Sequence, residues 1–126
     1  MICFNNVLNS IIMNVKDLKK FGIEGPGEGY LIIDCSTEWC GPCQIISPIL
    51  EKLRDEGLFH LINVDLDKNK ELAQALNIYA VPTLLFFFNG WLVNKDISVD
   101  GQTVINHGVM IGATSEYYIR EALKRI

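Results

Sequence analysis

The chain has 126 residues, 49% of them hydrophobic, and a formal net charge of −4, a length and apolar content that suit one domain with a real core. No Lys/Arg run supplies the clustered cations that a phosphate backbone demands, so nucleic acid is not an expected partner. No apolar run approaches the roughly 20 residues of a spanning helix, and residues 1–10 hold no basic residue and no small-x-small cleavage site, so neither a membrane span nor a secretory leader is expected.

Residues 1–13 show no clear period and read as a tail or, at 10–13, a short first strand, with the domain proper over 14–126. Asn14 suits the N-cap of a short helix over 15–21, with Val15, Leu18 and Phe21 on one face and Gly22 as its stop. Gly25-Pro26-Gly27-Glu28-Gly29 is a turn-rich loop, not a phosphate-binding motif, because no strand precedes it and no helix follows.

Residues 30–35 are apolar nearly throughout, as in a central strand covered on both faces, and Asp34 is the anomaly. Alternation sends Asp34 and Cys35 to opposite faces. Burial without a cation would raise the Asp34 pKa, and the carboxyl then reads as a proton acceptor beneath Cys43; the bland alternative is a strand-end aspartate capping a turn.

Glu38-Trp39-Cys40-Gly41-Pro42-Cys43 follows, two thiols three positions apart where the strand gives way to a helical pattern. If Gly41 opens the helix with Pro42 in its first turn, Cys40 sits where unpaired backbone N–H groups and the macrodipole favour a thiolate. Cys40 is therefore the expected nucleophile. Cys43, one turn further in, is close enough to form a disulfide with Cys40 and shielded enough to be the resolving thiol.

The helix is expected over 41–56, with Ile45, Ile46, Ile49, Leu50 and Leu53 as its apolar face, Pro48 as an internal kink and Gly57 as its end. A strand over 58–64 and a short helix over 70–76 complete a βαβ crossover. Residues 83–88 form the next strand, closed by the hairpin signal Asn89-Gly90. Asp100-Gly101, flanked by 92–99 and 103–110, reads as a second hairpin extending the sheet edge, with its pairing open, because one added strand would leave the last helix at the wrong end of the sheet and a protruding excursion would not. Thr114 or Ser115 caps a last helix over 116–125, with Ile119, Leu123 and Ile126 inward and Glu116–Arg120 and Glu121–Arg125 as i,i+4 pairs.

The four cysteines do not read as a disulfide framework or a zinc site, since the chain has a core to bury and Cys3 and Cys35 lie 32 positions apart. His60 falls in a strand and His107 in the late excursion, so a Cys-His hydrolase is not expected.

Trp39-Cys40-Gly41-Pro42-Cys43 resembles the active-site motif of the thioredoxin family. The match extends to Asp34 six positions before Cys40, to Pro48 five after Cys43, and to Val81-Pro82-Thr83, which has the sequence and spacing of the family's cis-proline segment. The resemblance covers 30–90; the first dozen residues and the late excursion fall outside it. It implies an α/β thioredoxin-like fold, a central mixed sheet flanked by helices on both faces, in the order β-α-β-α-β-α-β-β-α. Matching Gly90 and Gly112 to the family's two glycines leaves about fourteen surplus residues within 91–110.

The implied activity is reduction of protein disulfides by dithiol–disulfide exchange through Cys40 and Cys43, with Asp34 as proton carrier and a poise near the reducing end. By the same resemblance Pro82 is cis, and Trp39, Gly41, Pro42, Tyr79, Val81, Pro82, Gly112 and Ala113 form a shallow client surface around Cys40. No metal and no cofactor beyond the redox-active disulfide are implied. The expected partners are thioredoxin reductase and disulfide-bearing client proteins, for a cytoplasmic monomer.

Three departures from the family pattern loosen its electrostatics. Ser36 replaces a second aromatic, Gln44 stands where a lysine often follows the second cysteine, and Leu61 occupies the place of a lysine that pairs with the buried aspartate in many bacterial members. A binding module that docks partners through 91–110, with the thiols dispensable, is the alternative from another class.

Overall fold

The apolar run broken once by a carboxylate becomes the middle of the molecule. The structure is a computed structural model that describes residues 14–126, so the expected tail or strand over 1–13 and Cys3 lie outside the described residues. Strand β1 (Tyr30–Ser36) pairs in parallel with β2 (His60–Asp65), and antiparallel with β3 (Thr83–Phe88) on its other side. Leu31, Ile33 and Cys35 face one core with Val15, Leu18, Leu72 and Leu76; Ile32 faces the other with Ile46, Leu50, Leu53 and Ile119. Being covered on both faces is what a nearly continuous apolar strand requires. Each fully buried Leu or Ile contributes about 1.5–3 kcal/mol.

Helices supply the covers. A 3₁₀ helix (Val15–Phe21) and α2 (Lys70–Ala75) lie over the first core, while α1 (Gly41–Asp55) and α3 (Glu116–Lys124) lie over the second. The first element is 3₁₀ and not α for a reason visible in its sequence. Val15, Leu18 and Phe21 recur every three residues, the period at which 3₁₀ side chains stack on one face. Asn14 and Asp17 cap its start reciprocally, and Gly22, at φ 79°, ends it. On α1, Lys52 binds Glu116 at 2.9 Å, and Arg120 binds both Glu116 at 2.8 Å and Glu56 at 2.7 Å, which ties the C-terminal end of α1 to α3.

The outer edge of β3 is paired twice. β4 (Trp91–Leu92) covers the Phe87–Phe88 end and β7 (Val109–Ile111) the Thr83–Leu85 end. Between them, Phe86 accepts from Val93 N at 3.0 Å and donates to Gly108 O at 2.8 Å, so the two strands act as one partner strand interrupted at Phe86. Two steps along β3, Phe87 to Leu85, are matched by seventeen from Leu92 to Val109, an excess of fifteen.

The surplus does not extend the sheet edge, which removes the first of the two readings open from the sequence. β5 (Ile97–Val99) and β6 (Gln102–Ile105) form a separate two-stranded sheet, folded over the second core. Ile97 and Ile105 bury their side chains in the cluster that holds Ile119, Ala122 and Leu123. The excursion returns through a turn that the sequence reading overlooked: Asn106 and Val109 exchange backbone hydrogen bonds around His107 (φ 48°) and Gly108 (φ 86°). Both central residues have positive φ, the type I′ geometry. Gly108 is obligatory on a second ground, since a Cβ there would lie 2.7 Å from Val93 O.

Candidate active site

Cys40 ends the loop out of β1 as the N-cap of α1, with φ −84° and ψ 115°, and its sulfur accepts the Cys43 N–H at 3.1 Å. Pro42 occupies the first turn, where its missing N–H costs nothing. Cys40 and Cys43 are joined as a disulfide with Cα atoms 5.3 Å apart, and both residues are buried. A donor already aimed at the Cys40 sulfur, added to the positive end of the helix, stabilises a thiolate there once the bond is reduced.

Asp34 is fully buried, and neither carboxylate oxygen has a hydrogen-bond partner among the described residues. Alternation puts it on the face of β1 that carries Ile32, under α1 and α3. Burial raises its pKa from the ordinary 3.8 to about 6. Leu61, on the neighbouring strand, packs half-buried into the same cluster as Ile32, so the position of the family's lysine brings no charge. Cys35 faces the opposite core, where burial first and the Asp34 charge second push its thiol up to about 12. A thiol so hard to ionise is packing, not chemistry.

Three segments leave one end of the sheet side by side. Cys35 lies opposite Thr83, and Thr83 opposite Ile111. The peptide between Val81 and Pro82 is cis, Gly112 N donates to Pro82 O at 2.8 Å, and Thr83 Oγ1 donates to Ala80 O at 2.7 Å. Pro82 and Gly112 are thus joined directly. Trp39, Gly41, Pro42, Tyr79 and Ala113 are exposed and Val81 half-buried, Trp39 and Tyr79 at 74% and 73% of their surface.

Two features escaped the sequence reading. Ile45, expected in the core, is 64% exposed, because the buried face of α1 runs through Cys43, Ile46, Leu50 and Leu53. Asp67, just beyond β2, accepts the Trp39 indole N–H at 2.9 Å and so fixes that ring beside Cys40. No local signal could have paired residues 28 positions apart.

The thioredoxin family model matches residues 18–108. The chain belongs to the thioredoxin family. It is a thiol–disulfide oxidoreductase, a disulfide reductase of the thioredoxin type. Thioredoxin Asp f 29 of Aspergillus fumigatus is 38% identical over 77 residues, which are 59% of this chain and 70% of that protein. The thioredoxin of Borreliella burgdorferi is 33% identical over 97 residues, 75% of this chain and 74% of its own. Among solved structures, reduced thioredoxin pre-protein of Schistosoma mansoni superposes with a TM-score of 0.60 at 27% identity, covering 86% of this chain and 84% of that one. The thioredoxin family implies a thioredoxin reductase and disulfide-bearing proteins as partners. Among the described residues no group of three or more His, Cys, Asp and Glu is placed to hold a metal, and no helix is long and apolar enough to cross a membrane.

Proposed function

We propose that Cys40 is the attacking thiol, Cys43 the resolving thiol and Asp34 the proton acceptor of a two-step reduction of client disulfides. The observation that carries this assignment is the asymmetry of the pair: the Cys40 sulfur sits at the N-cap and accepts the Cys43 N–H, while Cys43 lies inside the first turn. The Cys40 thiolate attacks one sulfur of the client disulfide, forms a mixed disulfide and expels the client's other sulfur as a thiolate. Cys43 then yields its proton to Asp34 and attacks the Cys40 sulfur, which releases the second client thiolate and leaves Cys40–Cys43 oxidised. Two electrons pass to the client. A carboxyl with a pKa near 6 is mostly ionised at neutral pH, so it is free to take that proton.

The exposed apolar groups Trp39, Pro42 and Tyr79, with Gly41 and Ala113 exposed and Gly112 half-buried around them and the backbone of Val81 before the buried cis Pro82, suit an extended client segment, not a small molecule in a deep pocket. The protein acts as a monomer in a reducing compartment such as the cytoplasm, recharged by a thioredoxin reductase. Reduction of an insulin-type disulfide is the test. Cys43→Ser should form mixed disulfides without completing turnover, and multiple turnovers by that variant at the wild-type rate would refute the assignment.

A further inference from the structure

Ile45 is a large apolar side chain left exposed on a helix whose core face lies elsewhere, through Cys43, Ile46, Leu50 and Leu53. It belongs to a row along α1, formed by Pro42, Ile45, Ile49, Lys52 and Glu56, whose spacings of three and four residues align them on one side of the helix. The lower end of that row faces α3. Lys52 binds Glu116 at 2.9 Å, and Glu56 binds Arg120 at 2.7 Å. Glu116 is the first residue of α3, so the helix that covers the row begins at the level that Lys52 reaches. One turn above, Ile49 is half-buried against the second core, and above it Ile45 and Pro42 are exposed. The row therefore loses its cover toward the disulfide. Side chains on a helix lean toward its N-terminus, which here aims Ile45 along the turn that holds Pro42, toward the N-cap Cys40.

We propose that the uncovered end of this row, Ile45 with Pro42, receives an apolar side chain of the client two residues from the client's disulfide cysteine, so that Ile45 sets a preference for apolar-flanked disulfides. The inference rests on the reductase reading and names the client class of the same site. The reaction itself supplies the occupant. Attack brings a client sulfur to the Cys40 sulfur, and the client segment that carries it passes the end of α1 where the row is bare. The lengths match. Ile45 is five residues beyond Cys40, about 7.5 Å along the helix axis, and two residues of extended client span roughly 7 Å. The charged members of the row, Lys52 and Glu56, are both spent on α3, which leaves Pro42 and Ile45 to gain from apolar area removed from water and not from charge.

The test uses the full chain and disulfide peptides that carry leucine or serine two positions from the cysteine, before it in one series and after it in another. In at least one series the leucine peptide should show a KM about three- to tenfold below the serine peptide, with kcat little changed and the gap as wide at high salt as at low. The ratio of leucine to serine KM should move toward one in Ile45→Ser and persist in Ile45→Leu. Equal KM across both wild-type series overturns the proposal, as does a leucine preference that survives Ile45→Ser. A wild-type dimer in sedimentation that Ile45→Ser splits would assign the row to a second copy of this chain. A denaturation midpoint lowered by Ile45→Ser, with the KM ratio unmoved, would assign it to the chain's own residues; either result also overturns the proposal. Reduction of the serine peptide by wild-type protein tests the reductase reading separately, because that peptide makes no demand on Ile45.

Discussion

The loop from Thr37 to Cys43 and the excursion from Val93 to Gly108 both leave the central sheet, yet they follow opposite rules. Around the loop, polar atoms are buried without partners among the described residues, at Thr37 Oγ1 and both Asp34 oxygens, while Trp39 and Ile45 stand exposed. In the excursion, Ile97, Val99 and Ile105 point inward, Ser98, Gln102 and Thr103 are exposed, and both turns have the X-Gly pairs that their positive φ values require. A segment that satisfies every local rule is built for stability, whereas violations concentrated in one segment mark the place where the fold gives up stability for chemistry. The excursion is a lid on the second core, and the thiol loop is the working part.

If that division is right, substitutions in the two regions should separate activity from stability. The largest effect belongs to Cys40→Ser, which should abolish insulin reduction while leaving the denaturation midpoint close to that of the reduced wild type. Next comes Ile105→Ala in the excursion, a fully buried side chain. It should cost about 2–5 kcal/mol in chemical denaturation and leave kcat/KM for a neutral disulfide peptide within about twofold. A large loss of kcat in that variant, with the fold intact, would merge the two regions.

Asp34→Asn sharpens the comparison from the other side. The folded state holds the Asp34 proton up to about pH 6, against an ordinary value of 3.8. Its destabilisation is therefore absent below about pH 4, grows as pH rises through that window and is complete above it. Asparagine removes the charge at nearly the same volume, so the oxidised variant should be more stable than wild type by about 1–3 kcal/mol at pH 7 and equal to it near pH 3. Resolution of a mixed disulfide should meanwhile slow most near neutral pH. Identical stability at both pH values would make Asp34 a mere strand-end residue. Tyr117→Phe should have the smallest effect, since it removes only an exposed hydrogen bond to Asp100 at 3.3 Å; a change within about 0.5 kcal/mol is expected by denaturation.

The framework was legible because local signals agreed with the global fold. The apolar run at 30–35 could only be a doubly covered strand, Asn89-Gly90 could only be a tight turn, and the Cys40–Cys43 spacing on a helix start carried the chemistry. What stayed hidden depended on tertiary context. The placement of the Asp100-Gly101 hairpin over α3 was not legible, because two short strands of mixed polarity fit a sheet edge as well as a separate ribbon. The turn at His107-Gly108 has positive φ at both residues, and its X-Gly pair is legible in the sequence. Ile45 looked like core in a helix with apolar residues on several sides, and its exposure followed only from where α1 sits. The bond from Trp39 to Asp67 joins segments that only the β1–β2 pairing brings together.

Whether Cys40 attacks and Cys43 resolves is decided by the position of the covalent link in the Cys43→Ser variant after exposure to a disulfide peptide. Mass spectrometry of the trapped adduct should find the peptide on Cys40, with the adduct released by a reducing agent and absent from Cys40→Ser. An adduct on Cys3 or Cys35, or one that forms equally well in Cys40→Ser, would contradict that assignment.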